Sequence, residues 1–151
     1  MSDRGHLAKI WVRNLQRTVP INAAALEKFA DNALPLCLAR HKTKKTDLTR
    51  LREIFVLIVS DRRMASLHRQ FLNESGPTDV ITFSHGEIFI GAETARRHAR
   101  EFRNPLTREL RLYLVHGLLH LHGFDDCDKV AARKMQKEQE RILKQAERSL
   151  V

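Results

Sequence analysis

The sequence predicts an α+β fold: a single domain over residues 1–151 in which a small mixed four-stranded sheet packs with about five helices. Three observations lead to this prediction. The length of 151 residues suits one domain with a real core. A composition of 42% hydrophobic and 30% charged residues is ordinary for a globular chain. Apolar patterns of strand and helix period follow one another in the order β-α-β-α-β-β-α-α-α.

Four short segments have the composition of strands. Residues 9–14 (KIWVRN) alternate apolar with polar or amphipathic side chains, which is typical of a half-buried strand. Residues 53–60 (EIFVLIVS) are nearly all apolar and rich in β-branched side chains, which favours a central strand. Residues 80–83 and 87–90 are joined by Ser84-His85-Gly86, and this short connection predicts a β-hairpin.

Five segments of helical period predict helices, and several of their boundaries carry recognisable signals. Asn22 and Asp61 each precede a helical pattern and suit the N-cap position. Pro105 suits the first turn of a helix. Residues 41–52 form a polar, strongly basic connection, and residues 73–77 (NESGP) form a turn. The predicted helices span residues 22–39, 62–72, 93–102, 106–122 and 129–150.

The fourth of these helices, near the C-terminal third of the chain, carries the strongest chemical signal. His116 and His120 are four residues apart, so both imidazoles project from one helical face and suit a single divalent ion. Gly123 can end the helix in a left-handed conformation and turn the chain back. Asp126 can then supply a third, oxygen ligand. Three protein ligands with an open fourth position are typical of a catalytic zinc site, whereas a structural site closes with four.

The residues alone leave two alternatives open. A bare pair of histidines at helical spacing often belongs simply to the surface or the core, although histidines in so apolar a helix need polar partners. Cys127 neighbours Asp126, and a thiolate is a good zinc ligand that could take the place of the carboxylate. His122 falls off the ligand face, and we expect it to be partly exposed.

The charge and the hydrophobicity of the chain restrict the classes of partner. The 27 Lys and Arg residues exceed the 18 Asp and Glu residues, and the net charge of +9 favours polyanions, nucleic acid first. No apolar run approaches the roughly 20 residues that span a bilayer, and the N-terminus lacks a signal-peptide pattern. We therefore expect a cytoplasmic protein with no membrane partner. Two cysteines form no disulfide framework, so we expect no disulfide-linked partner.

Three motifs together resemble those of a known family. Residues 77–83 read P-T-D-V-I-T-F, residues 86–88 read G-E-I, and residues 116–126 read H-G-L-L-H-L-H-G-F-D-D. In order and separation they resemble the P-T-D-V-L-S-F, G-D-I and H-G-x-L-H-L-x-G-Y-D-H motifs of the YbeY family of bacterial rRNA maturation factors. The combination is far more specific than any single motif, and the predicted order of elements outside it also agrees.

The resemblance implies a zinc-dependent, single-strand-specific endoribonuclease that matures the 3′ end of small-subunit rRNA and takes part in ribosome assembly and quality control. Single-stranded rRNA and the small ribosomal subunit would be its partners, and one Zn²⁺ per chain would be held by His116, His120 and position 126. The chain departs from the family twice. Asp126 stands where the family usually has His, and Leu72 stands on or near the position of a common arginine that suits phosphate binding. Arg69, one helical turn upstream, could substitute for it.

The expected reaction uses a zinc-bound water, whose pKa the ion would lower towards neutrality. Gly117 occupies the position at which H-E-x-x-H proteases carry their glutamate general base, so the sequence disfavours a peptidase. Asp79 is the candidate catalytic carboxylate, with an ordinary turn contact as the alternative. Glu109, seven residues before His116, is expected either to orient a ligand or to cap the start of its helix.

Arginines of the third predicted helix, together with Arg69, are the candidate RNA-binding residues. Arg96, Arg97 and Arg100 could track phosphates, although each alone is more often a solvated surface charge. The missing family arginine motivates an alternative function, a ribosome-assembly binding factor with a mainly structural zinc and little hydrolase activity.

Overall fold

The computed structural model describes residues 7–40, 45–72 and 78–150. These ranges contain four strands and six helices, so the α+β class and the four strands are confirmed. The predicted turn at residues 73–77 and the first part of the basic connection, residues 41–44, lie outside the described residues. The strands are β1 (Lys9–Asn14), β2 (Glu53–Val59), β3 (Val80–Phe83) and β4 (Glu87–Gly91). The helices are α1 (Ala23–Leu38), α2 (Asp47–Arg50), α3 (Asp61–Leu72), α4 (Ala92–Glu101), α5 (Leu106–Leu121) and α6 (Lys129–Arg148).

The four strands form one mixed sheet in the order β1-β2-β4-β3. β2 pairs in parallel with both β1 and β4, and β3 pairs antiparallel with β4 through the predicted hairpin. Ile54, Ile58 and Ile88 of the two central strands are fully buried, which explains why β2 reads as an apolar run. This topology leaves β3 at one edge of the sheet.

Helices cover both faces of the sheet. The larger core lies on the face that packs against α1, α5 and α6, and it includes the fully buried Leu114 and Leu118 of α5. A smaller core on the opposite face joins α3 to the sheet through Met64. The edge strand contributes to both cores, because successive side chains of a strand point to opposite faces. Ile81 belongs to the smaller core, and Val80 packs against the larger one.

The helices begin largely where the sequence signals predict. Asn22 caps α1, because its Oδ1 accepts a hydrogen bond from the Ala25 amide at 3.0 Å. Pro105 directly precedes the first residue of α5, Leu106. Within the described ranges, every helix is too short or too polar to cross a lipid bilayer.

The sequence predicts a plain connection over residues 41–52, whereas the structure contains the one-turn helix α2. Leu48 of this helix is buried in the larger core, and the Thr46 amide donates to Thr49 Oγ1 at 3.1 Å where the helix begins. A four-residue helix with one buried side chain produces no periodic pattern, so periodicity could not reveal it. The described residues therefore contain one helix more than the sequence predicts.

The start of α3 also differs from the prediction. Ser60, and not Asp61, acts as the cap, because Ser60 Oγ accepts a hydrogen bond from the Arg63 amide at 3.2 Å. The Asp61 carboxylate instead accepts hydrogen bonds from the hydroxyl of Thr94 at 2.8 Å and from Arg97 at 2.7 Å, both on α4. Asp61 thus joins α3 to α4, a tertiary role that a cap pattern in the sequence cannot distinguish.

The close approach of α5 to the sheet depends on Gly117. A Cβ atom at this position would lie 2.8 Å from Cγ2 and 2.9 Å from Cδ1 of Ile88 on β4. Both distances are shorter than real Cβ contacts, and Ile88 is fully buried, so its side chain cannot yield without disturbing the core. The same contact excludes the larger side chain of a glutamate while the helix keeps this position.

Gly117→Ala should destabilise the protein by up to about 2 kcal/mol. Overpacking of a core usually costs about 1–3 kcal/mol, and the better helix propensity of alanine offsets about 1 kcal/mol of this cost. Urea denaturation of the two proteins measures the difference in the free energy of unfolding. In an Ile88→Ala background the clash is removed, and Gly117→Ala should then stabilise the protein. Equal destabilisation in both backgrounds would contradict this explanation.

Candidate metal centre

Two histidines in the second half of α5 and an aspartate beyond its end meet at one point of the surface. One stripe of α5 is buried in the larger core, and His116 and His120 lie beside it, with 22% and 29% of their side-chain surface exposed. The helix ends at Leu121, and Gly123 has a φ of +89°, as the sequence predicts. This left-handed residue reverses the chain and returns Asp126 to the histidines.

The potential ligand atoms of His116, His120 and Asp126 all lie within 4.8 Å of one another. The two histidine Nε2 atoms are 3.0 Å apart. Asp126 Oδ2 lies 3.8 Å from His116 Nε2, and Asp126 Oδ1 lies 3.9 Å from His120 Nε2. A tetrahedral zinc ion with ligand bonds of about 2.0–2.1 Å separates its donor atoms by about 3.3 Å. The observed separations lie on both sides of this value, so the group could hold a metal ion.

Each histidine is oriented by a hydrogen bond at its other ring nitrogen. His116 Nδ1 lies 2.9 Å from Gln139 Oε1 on α6, and His120 Nδ1 lies 3.0 Å from the Phe124 carbonyl oxygen. Both oxygens accept, so both Nδ1 atoms carry the proton and both Nε2 lone pairs are available. Gln139 is 23 residues from His116 on a separate helix, and nothing in the sequence pattern indicates this role.

The electrostatics of the site favour the neutral form of His120. Burial lowers the pKa of His120, and neighbouring His116 lowers it further, against an opposing contribution from Asp126. A neutral His120 with its proton on Nδ1 directs a lone pair at His116 Nε2, and two lone pairs at 3.0 Å repel one another. A cation bound between them would remove this repulsion. The donor set therefore fits a divalent metal ion.

Cys127 does not belong to the group of converging ligand atoms. Its side chain is exposed, and its amide donates to Asp125 Oδ1 at 3.2 Å. The Asp125 carboxylate raises the pKa of the Cys127 thiol, which disfavours the thiolate that would bind zinc. Of the two alternatives that the sequence leaves open for the third ligand, these observations favour Asp126.

A cleft of about 340 Å³ runs along the outer edge of β3 and reaches both histidines. We call it the edge cleft. Thr82 Oγ1, in its lining, is buried and has no hydrogen-bond partner among the described residues. Leu72, which stands where the resemblance expects an arginine, also contributes to the lining. The described lining carries no Lys or Arg and consists of Asp47, Leu72, Val80, Ile81, Thr82, Phe83, Ser84, His116, His120 and Leu121.

A second cavity, of about 510 Å³, also reaches His116 and is walled by α4, α5 and α6. Inside it, His98 Nδ1 lies 2.6 Å from the Tyr113 hydroxyl. Burial raises the pKa of Tyr113, and the carboxylates of Asp79 and Glu109 raise it further. The phenol therefore stays protonated and remains a hydrogen-bond donor across the physiological pH range.

Asp79 and Glu109, two of the three carboxylates that line this cavity, make local contacts. Asp79 Oδ1 accepts a hydrogen bond from the Val80 amide at 2.8 Å, which is the turn contact expected as the alternative to catalysis. Glu109 is buried and accepts from Asn104 Nδ2 at 3.2 Å. In the described part of the chain, the side chain that orients His116 is Gln139 and not Glu109. The catalytic role of Asp79 stays a prediction.

The four arginines predicted to bind substrate lie on α3 and α4. Arg69 and Arg100 are exposed and Arg96 is half-buried, while Arg97 donates to Asp61 at 2.7 Å. Among the described residues that line the two cavities, none of these arginines is present. Their contact with substrate stays a prediction, and it would be made outside the edge cleft.

His122 is buried, so the prediction that it is partly exposed is wrong. It retains 2% of its surface, and its Nδ1 lies 2.9 Å from Thr46 Oγ1 while its Nε2 lies 2.9 Å from the Arg40 carbonyl oxygen. Because a carbonyl can only accept, Nε2 carries the proton and the threonine hydroxyl donates to Nδ1. These partners are 76 and 82 residues away in sequence, and helical periodicity carries no information about them.

The fold and the site together define a small α+β protein with a candidate metal centre on a helix that packs against a mixed sheet. Among protein families, the one described as endoribonuclease YbeY matches residues 11–147 of the chain. The chain therefore belongs to the YbeY endoribonuclease family, and the resemblance of its motifs is confirmed.

Individual relatives agree with this assignment. Endoribonuclease YbeY of Chlamydia pneumoniae is 31% identical over 150 residues, which cover 89% of this chain and 89% of that protein. Endoribonuclease YbeY of Frankia alni is 31% identical over 126 residues, which cover 70% of each chain. A Thermotoga maritima protein with a known solution structure has a TM-score of 0.64 at 24% identity. That match covers 91% of this chain and 88% of the other, and it shows the shared fold.

Gln139→Ala should weaken metal binding by about 10- to 100-fold, because His116 loses the acceptor that fixes its proton and its ring orientation. Competition with a chromophoric chelator measures the affinity for Zn²⁺. Gln145→Ala, at an exposed position of the same helix, is the matched control and should bind as tightly as the wild-type chain. Equal affinity of all three proteins would contradict the orienting role of Gln139.

Proposed function

We propose that the chain is a zinc-dependent, single-strand-specific endoribonuclease that acts in rRNA processing, at the 3′ end of small-subunit rRNA. The observation that carries the proposal is the convergence of His116, His120 and Asp126 in a member of the YbeY endoribonuclease family. The relatives named endoribonuclease support the reaction class. The proposed partners are single-stranded rRNA and the small ribosomal subunit in the cytoplasm, with roles in ribosome assembly and quality control.

His116, His120 and Asp126 would hold one Zn²⁺ per chain. Two neutral imidazoles and one carboxylate are common zinc ligands, and three protein ligands leave a coordination position for catalysis. When bound, zinc would supply a Lewis acid to a phosphoryl oxygen and lower the pKa of a water molecule. Gln139 and the Phe124 carbonyl keep the histidine protons on Nδ1, as this binding requires.

Neutral hydrogen-bond donors replace the missing arginine in the edge cleft. Among the described residues, Thr82 Oγ1 is buried without a hydrogen-bond partner, in the lining that includes His116 and His120. A buried hydroxyl without a partner is costly, and a phosphoryl oxygen in the cleft would satisfy it. The Thr82 hydroxyl is therefore proposed to donate to the phosphate that is cleaved.

The backbone of Thr82 supports the same contact. The Gly91 amide donates to the Asp79 carbonyl at 2.9 Å, so these two residues form a hydrogen-bonded pair of the β3–β4 ladder. Hydrogen-bonded and non-hydrogen-bonded pairs alternate along an antiparallel ladder, and Thr82 and Ile88 fall in a non-hydrogen-bonded pair. The Thr82 amide therefore points away from β4, towards the outer edge, where a phosphate in the edge cleft would accept its hydrogen bond.

Basic groups outside the edge cleft would attract the RNA without taking part in cleavage. The net charge of +9 gives the chain a general affinity for phosphates that decreases with salt. Arg69, Arg96 and Arg100 are the proposed contacts, with a smaller contribution from Arg97, whose charge is shared with Asp61. Asp79, in the second cavity beside His116, is the proposed proton acceptor or donor.

A second candidate is a ribosome-assembly binding factor in which the metal is mainly structural. The absence of Lys and Arg from the described lining of the edge cleft favours it, because developing negative charge would have no ion pair there. A peptidase is disfavoured, because the contact between Gly117 and Ile88 leaves no space for a glutamate general base on α5.

His116→Ala and Asp126→Ala should each reduce bound zinc and abolish cleavage of a single-stranded rRNA fragment, because two ligands do not hold the ion firmly. Elemental analysis and gel assays with and without chelator measure the two effects. Cys127→Ser is the matched control and should keep both zinc and cleavage. Cleavage that survives in metal-free His116→Ala protein would disprove the zinc nuclease. Zinc in a wild-type chain that cuts no RNA would support the second candidate.

Thr82→Val removes one hydroxyl at nearly constant volume and should lower kcat by about 10- to 100-fold, the usual contribution of a hydrogen bond to a charged group. Zinc content should not change, because Thr82 is outside the ligand group. Thr82→Ser keeps the hydroxyl and should retain most of the activity. Single-turnover cleavage of the same rRNA fragment compares the three proteins, and equal rates for all of them would contradict the phosphate contact.

A further inference from the structure

Three rings form an exposed cluster at the rim of the edge cleft. Phe83 and His85 stack with their centroids 5.6 Å apart and their planes at 19°. Phe71, at the end of α3, meets Phe83 edge-on, with centroids 5.3 Å apart and planes at 77°. Phe71 is 55% exposed, and 65% of the His85 side chain is exposed. We call these three residues the aromatic platform.

Contacts with the smaller core and with Glu87 fix the rings of the platform in place. Phe83 packs against the smaller core and meets the ring of Phe89 edge-on at 5.8 Å. His85 is fixed both by its stack on Phe83 and by a hydrogen-bond contact of 2.6 Å between its Nε2 and Glu87 Oε1. A ring fixed in this way presents its outer face in a defined orientation and loses little conformational entropy when a ligand binds.

The platform is continuous with the candidate active site. Phe83 and its neighbour Ser84 line the edge cleft together with His116 and His120. Leu72, next to Phe71 in sequence, lines the same cleft. A polynucleotide that follows the edge cleft away from the histidines would reach the rings at Phe83. Two of the nine Phe, Tyr and Trp residues of the chain, Phe71 and Phe83, lie together with His85 at this rim.

We infer that the aromatic platform binds an unpaired nucleobase of the RNA substrate, which stacks against Phe71 and the outer face of His85. The inference rests on the proposed nuclease function and adds to it the group that selects single strands. A base inside a duplex has both faces covered by its neighbours and cannot stack on a protein ring. Stacking also tolerates any base, because every base has a π-face, so the platform selects strandedness and not sequence.

Stopped-flow fluorescence of a short RNA containing 2-aminopurine tests this inference, because stacking on a ring quenches the probe before cleavage occurs. Phe71→Leu keeps apolar bulk but removes the ring, and His85→Ala removes the outer face. Each should reduce the quenching and weaken binding by about 5- to 100-fold, the range for the loss of one stacked base. In steady-state cleavage the loss should raise KM more than it lowers kcat. His85→Phe restores a ring and should restore the quenching.

Leu15→Ala is the matched surface control, since Leu15 is exposed and follows β1 at the opposite edge of the sheet. It should bind and cut like the wild-type chain. A duplex of the same sequence should give no quenching that depends on Phe71 or His85. Unchanged KM and quenching in both platform variants of a chain that cuts RNA would overturn the inference alone. If the wild-type chain cuts no RNA but its quenching still depends on both rings, the result would support base stacking on the platform and contradict the nuclease function.

Discussion

The packing of α5 against β4 determines where the two candidate metal-binding histidines lie. Gly117 brings the helix axis closer to Ile88 than any residue with a Cβ atom would allow. The buried stripe of the same helix fixes its rotation, and His116 and His120 are thereby held at the surface. The two imidazoles are positioned by core packing, so their orientation requires only two further hydrogen bonds. A site built on a rigid helix in this way is more exact than one built on a loop.

The parts of the molecule that the sequence could predict are those whose causes are local. Strand and helix periods, the cap at Asn22 and the left-handed Gly123 depend on neighbouring residues, and the spacing of His116 and His120 follows from helical geometry alone. Gln139 and Thr46 could not be predicted as partners of histidines, because their contacts join elements that are distant along the chain. Such contacts depend on how the helices pack together, and the hydrophobic periodicity of a single sequence does not show this packing.

In the proposed enzyme, one set of groups would attract the RNA and a different set would position the phosphate that is cleaved. Most of its cationic groups are dispersed over the surface, whereas the described lining of the edge cleft carries none. Dispersed charges raise the concentration of RNA near the protein and are screened by salt. Within the cleft, the hydroxyl and the amide of Thr82 would be neutral donors to the phosphate. Ionic strength would therefore act on capture of the substrate much more than on the chemical step.

The hydrogen bond between Gln139 and His116 joins α6 to a candidate metal ligand. It therefore couples the docking of α6 on α5 to the binding of the metal ion. If docking of α6 raises the affinity of the site for its ion, then a bound ion must strengthen the docking of α6 by the same free energy. A macromolecule that bound the exposed face of α6 and separated this helix from α5 would therefore lower the affinity for the ion without contacting the ion. The position of α6 would thus regulate the affinity of the metal centre through Gln139, which is 23 residues from His116 in sequence.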